Sequence, residues 1–204
     1  MNIELRPLRD FEEDDFIREN QIAFDKAAVV EFGPQKESVI PREDIVSSIH
    51  AKNAEAFRII ADGNAVGGVV VAIHPETQIN SLYLLFVSPD HHSRGIGQQV
   101  WRMIEEKYPE TKVWETHTPY FEKRNILFYV NKCGFHIVEF FNPRHPEPQG
   151  PCDTPGGEYF FRFEKVMKLI RPTTTSSTCR ITFRRTIRRC RCATGPHSSR
   201  RLPL

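Results

Sequence analysis

Along the chain the spacing of apolar and polar positions changes several times, and each change marks an element. Ile3–Leu8 alternates apolar with polar residues, as a half-buried strand does. Asp10 and Glu13 stand at the spacing of a capping box, which predicts a helix running to about Phe24. Pro41, followed by Glu43 and Asp44, predicts a second helix to about Lys52, with acids placed for its dipole. Ala56–Ala61 and Ala65–Ile73 flank Asp62-Gly63-Asn64, an Asp-Gly turn between apolar runs and hence a hairpin. Ile79–Val87 is apolar almost throughout, which suits a central strand buried on both faces.

From Gly95 the period becomes helical. Ile96, Val100, Met103, Ile104 and Tyr108 fall on one face, and Pro109 closes the helix. Lys112–Thr118 predicts a strand, and Asn125–Cys133 a helix with Gly134 as its left-handed cap. His136–Phe141 and Glu158–Met167 predict the last strands, separated by a stretch rich in Pro and Gly from Asn142 to Gly157. The order β-α-α-β-β-β-α-β-α-β-β defines an α/β (α+β) fold, a mixed sheet with helices on both faces.

Composition supports a real core, with 39% hydrophobic residues and 15 Phe among 204. No run approaches the about 20 apolar residues of a membrane span, which argues against an integral membrane protein. Met1–Pro7 lacks the pattern of a secretory signal, and five scattered Cys suit a reducing compartment, so the cytoplasm is the expected location.

The formal net charge of +2 conceals a split. All 26 acids lie at or before Glu164, while nine Arg and no acid follow Ile170. Residues 1–170 therefore carry 19 basic against 26 acidic groups, −7, and residues 171–204 carry +9. This predicts a folded acidic domain over 1–168 and a basic tail over 169–204. Three readings of the tail stay open: a solvated extension, an arm for nucleic acid or another acidic surface, or a translated extension foreign to the domain.

The segment Val87-Ser88-Pro89-Asp90-His91-His92-Ser93-Arg94-Gly95-Ile96-Gly97-Gln98 ends a buried strand and opens a helix at two glycines. Free N–H groups and the positive end of a helix dipole suit a phosphate or pyrophosphate there, and Arg94 adds charge at the rim. The plainer alternative is a tight strand-to-helix turn. A P-loop would need Gly-Lys-Ser/Thr, and a dinucleotide fingerprint would need a small residue where Val100 stands. His91 and His92 are adjacent, and no His-Glu-x-x-His or Cys-x-x-Cys occurs, so no metal is expected.

With these residues in place, the chain resembles the GNAT superfamily of acyl-CoA-dependent N-acetyltransferases. That family's Gln/Arg-x-x-Gly-x-Gly/Ala signature follows a strand ending in Val-x-Pro; here Val87-Ser88-Pro89 precedes His92-Ser93-Arg94-Gly95-Ile96-Gly97, with His92 departing from the first position. Asn125 through Phe128-Tyr129 to Gly134-Phe135 looks like the family's Asn…Phe-Tyr-x-x-x-Gly-Phe helix and turn. The resemblance implies a largely antiparallel twisted sheet of about seven strands.

It also implies acetyl-CoA as co-substrate. Main-chain groups of Leu85 and Val87 would pair with the pantetheine arm, and residues His92, Ser93, Arg94, Gly95, Ile96, Gly97 and Gln98 would hold the pyrophosphate. Asn125 would contact the cofactor arm, and Tyr129 would protonate the departing sulfur. For the base the candidates are Glu115, Glu31 or a water chain. The amine acceptor, a small molecule or peptide, would bind near Phe24, Glu31 and Phe32 and the Asn142–Gly157 loop, and the acidic body would attract a cation. A homodimer is a further expectation. The competing class is a non-catalytic acyl-CoA-binding protein, or a nucleic-acid module acting through the tail.

Overall fold

The computed structural model describes residues 1–92, 94–147 and 158–167. Strand β1 (Ile3–Pro7) leads into helices α1 (Glu13–Phe32) and α2 (Arg42–Ile49). Strands β2 (Ala54–Ala61), β3 (Asn64–Ala72) and β4 (Ile79–Val87) follow as a meander, then α3 (Ile96–Lys107) and β5 (Val113–Pro119). Helix α4 (Lys123–Phe128) continues through a π turn over Tyr129–Cys133 into β6 (His136–Phe141) and β7 (Phe160–Val166). The seven strands form one sheet, ordered β1-β2-β3-β4-β5-β7-β6, in which only β4 and β5 are parallel.

The sheet is covered on both faces, and β3 shows how its sequence serves that. Val69 and Val71 pack with Trp101, Ile104 and Trp114 on one face, whereas Val70 packs with Phe16, Ile17 and Ile45 on the other. Trp101 and Trp114 meet edge to face at 5.3 Å, and Phe16 and Phe86 at 5.0 Å, anchoring the two layers. Helix α1 comes so near β3 that a Cβ on Gly68 would stand 2.1 Å from the Phe16 ring. Between Val70↔Leu84 and Val71↔Leu82 the register slips by one residue, so Tyr83 bulges and Leu82 and Leu84 enter opposite layers.

Three local expectations change. Helix α1 continues to Phe32 rather than ending near Phe24, because Val29 and Val30 are exposed and interrupt the apolar stripe without interrupting the helix. Asp10 does not cap it. That residue lies in a 3-10 turn, and Glu12, at the cap position, gives its carboxylate to Arg6 at 2.6 and 2.9 Å. Finally, four residues separate Tyr129 from Gly134, one more than the family pattern holds, and the π turn takes up the extra one. Gly134, at φ 77°, then caps the turn, with Phe135 N–H donating to the Tyr129 carbonyl at 3.0 Å.

Candidate active site

Strands β4 and β5 pair only at their starts, Ile79↔Val113, Asn80↔Trp114 and Ser81↔Glu115. Just beyond the last pair the Thr116 hydroxyl donates to the Leu82 carbonyl at 2.9 Å, a side-chain bond where the main-chain ladder stops. Asn80 ties the closed end: its amide donates to the Thr111 hydroxyl at 2.7 Å, and its oxygen accepts from His74 N–H. Past Leu82 the outer edge of β4 faces an opening. Ser88 N–H donates to the Val66 carbonyl at 2.7 Å. The alternation of a strand then turns the N–H and C=O groups of Leu85 and Val87 away from β3, into that opening. The Val87 carbonyl lies 2.7 Å from Nε2 of His92.

The start of α3 borders the same opening. Gly95, its N-cap, adopts φ 75°, where a side chain is strained. The N–H groups of Ile96, Gly97 and Gln98 have no partner within the helix, and no acid stands in its first turn. Gly97 serves packing as well: a Cβ there would meet the Phe128 ring at 3.3 Å, so the glycine lets α4 close against α3.

A cavity of about 730 Å³ joins the split strands to this helix start. Phe24, Val30, Phe86, Phe121 and Phe128 give it apolar walls, while Lys26, Lys123, Arg124 and Lys132 bring positive charge. Two carboxylates line it. Glu31 is paired with Lys123 at 3.0 Å. Glu122 is 4% exposed and has no ion-pair or hydrogen-bond partner for its carboxyl among the described residues. Burial pushes that carboxyl up to about 7, against the opposing pull of Arg124. The Arg124 guanidinium also contacts the His92 ring. Burial lowers the pKa of His92, the Val87 carbonyl opposes, and Arg124 lowers it further.

Of the residues the sequence singles out, Leu85, Val87, His92, Gly95, Ile96, Gly97, Gln98, Asn125 and Glu31 line this cavity. Arg94 is exposed and off its wall, and Ser93 lies outside the described residues, as do 148–157 and the basic tail. Tyr129 stands behind the wall, 5% exposed among Phe128, Phe135 and Phe163. Burial holds its hydroxyl far above the usual tyrosine range, partly offset by Thr116. Glu115 is off the cavity and engaged with Arg162 at 3.1 Å, in a network that also holds Glu139 and Glu164.

Glu122 and Arg124 are the residues that sequence reasoning passes over. The run Glu122-Lys123-Arg124 begins three residues past the carboxyl end of a strand that pairs in parallel, where α/β sheets place their ligands. That position was the available signal. Among the described residues no group of three His, Cys, Asp or Glu is placed to hold a metal ion, and no helix is long and apolar enough to cross a membrane.

Comparison with known proteins agrees with this architecture. Residues 12–135 match the acetyltransferase (GNAT) family, and the chain belongs to that family. It is 48% identical over 162 residues to the uncharacterized protein YrkN of Bacillus subtilis (strain 168), across 76% of this chain and 88% of the relative. The fold is shared with the ribosomal-protein-S18-alanine N-acetyltransferase of Escherichia coli, at TM-score 0.60 and 11% identity over 86% of this chain and all of that one. It is shared as well with the spermidine N-acetyltransferase of Vibrio cholerae in complex with CoA and spermine, at TM-score 0.58 and 13% identity over 80% of this chain and 95% of that one.

Proposed function

We propose that this chain is an N-acetyltransferase that passes the acetyl group of acetyl-CoA to a primary amine while both substrates are bound. The observation that carries this reading is the split between β4 and β5, which leaves the Leu85 main chain and the Val87 N–H without a strand partner beside a cavity that the start of α3 also lines. An extended arm bearing amides would add to the free edge of β4 as another strand does. Its pyrophosphate would lie on the N–H groups of Ile96, Gly97 and Gln98, with Lys26, Arg124 and Lys132 supplying charge. Spermine and CoA occur together in the Vibrio cholerae neighbour, which supports an amine as the second substrate here.

Transfer needs the amine nitrogen aligned on the thioester carbon, and holding both in one cavity supplies much of the rate. A main-chain N–H at the end of β4 would stabilise the oxyanion as it forms. Tyr129 is the proposed proton donor to the departing sulfur: it lies behind the cavity wall beside Thr116 at the apex of the split, and its hydroxyl carries a proton at neutral pH although burial makes that proton harder to release. We assign the chemistry to residues 1–168 and none to the basic tail.

The test is release of free thiol from acetyl-CoA by the full chain, with spermidine and other primary amines as acceptors. Amine-dependent release with formation of the acetylated amine is the expected result. Binding of acetyl-CoA without amine-dependent release would overturn the transferase reading in favour of an acyl-CoA-binding protein.

A further inference from the structure

The reaction proposed above requires a proton to leave the attacking amine, and the strand residues Leu82–Val87 carry no carboxylate to take it. Of the carboxyl groups discussed, Glu115 is held by Arg162 away from the cavity and Glu31 is neutralised by Lys123. Glu122 differs from both. It lines the cavity, its backbone is fixed by N–H donation to the Pro119 carbonyl at 3.1 Å, and its own carbonyl accepts from Ile126 N–H at 3.0 Å. These bonds anchor it where β5 ends and α4 begins, in a cavity that the end of β4 also lines.

We propose that Glu122 is the general base of the transfer, an inference that rests on the acetyl-CoA reading above. As the nitrogen lone pair forms the C–N bond, the C–S bond breaks with its electron pair on sulfur. The ammonium proton passes to a Glu122 oxygen, and the sulfur takes its proton from Tyr129. Solvent then removes the proton from Glu122 and restores that of Tyr129, so the cycle closes without another reactant.

The surroundings favour this role. Phe121 and Phe128 line the same cavity, and burial keeps the Glu122 carboxyl poorly solvated, which places its titration close to neutral pH, where a base both accepts and releases a proton readily. Lys26 and Glu31 face the cavity from α1, and His91 and His92 from the loop after β4. Lys123, Arg124 and Lys132 complete the charged lining, and Tyr129 lies behind it. The Arg124 guanidinium opposes that shift, and its removal would raise the Glu122 titration further.

The experiment compares wild type, Glu122→Gln and Glu122→Asp, using acetyl-CoA and butylamine as a small amine that needs no tailored acceptor pocket. Wild-type kcat/KM is expected to rise with pH through about 7. Glu122→Gln should lose at least ~100-fold in kcat and lose that acid limb, with acetyl-CoA affinity by calorimetry within about twofold of wild type. Glu122→Asp should retain the limb at reduced rate. Unchanged kcat in Glu122→Gln, or persistence of the limb without the carboxyl, would overturn the proposal. Failure of the wild type to bind acetyl-CoA, or binding with no transfer to butylamine or any other amine, would instead overturn the reading on which it rests.

Discussion

The Thr116 hydroxyl donates to the Leu82 carbonyl at 2.9 Å, one position past the last main-chain pair between β4 and β5. That single bond closes the apex of the split from which the cavity is built. Both residues are only 2% exposed, so the carbonyl has no water to replace a lost partner. Thr116→Val should therefore cost about 1–3 kcal/mol in denaturant unfolding, whereas Thr116→Ser keeps the donor and should cost less. Equal stability of the Val variant would show that the apex is held by other means.

Close packing of α1 on β3 depends on Gly68, whose added Cβ would stand 2.1 Å from the Phe16 ring. Gly68→Ala should destabilise the protein by roughly 2–4 kcal/mol through overpacking. Combining it with Phe16→Leu should recover part of that loss, because the two changes act on one contact. Strict additivity in the double-mutant cycle would disprove the direct clash.

Arg58 is 3% exposed and holds Glu19 through two bonds of 2.9 and 3.0 Å. Removing Glu19 leaves that guanidinium buried and unpaired. Glu19→Ala should cost roughly 3 kcal/mol, and adding Arg58→Met should restore much of it. Thermal and denaturant unfolding of the three variants read this directly.

The order of elements could be read from the sequence because long apolar periods, an Asp-Gly turn and two capping glycines each act locally. The last eight residues of α1 could not, since Val29 and Val30 present their side chains outward and hide the helical stripe. The glycine segment was legible by its own chemistry, and Gly95, Gly97 and Gln98 do meet on one cavity. Glu122 was not. Its character comes from burial against residues distant in the chain, which spacing alone does not record. The π turn was equally hidden, although the count of residues between Tyr129 and Gly134 held the clue.

Stability should also depend on Glu122 through pH. Its folded pKa, about 7, is raised above the ordinary 4.5, so the folded state holds an extra proton between these values. Stability from this group is thus fully present below about 4.5, falls as pH rises, and is lost above about 7. Glu122→Gln should consequently be more stable than wild type at pH 8 by roughly 2–3 kcal/mol, with little difference near pH 4. A variant with the same pH–stability curve as wild type would contradict a neutral carboxyl in this cavity.

We propose that acetyl-CoA binds between β4 and β5 with its pyrophosphate on the start of α3. Calorimetric titration of acetyl-CoA into the full chain, with Gly97→Glu alongside, tests it most directly. Micromolar binding is expected for the wild type and at least ~100-fold weaker binding for the variant, whose carboxylate would occupy the helix N-terminus and repel the pyrophosphate. No binding by wild type, or equal binding by both, would contradict it.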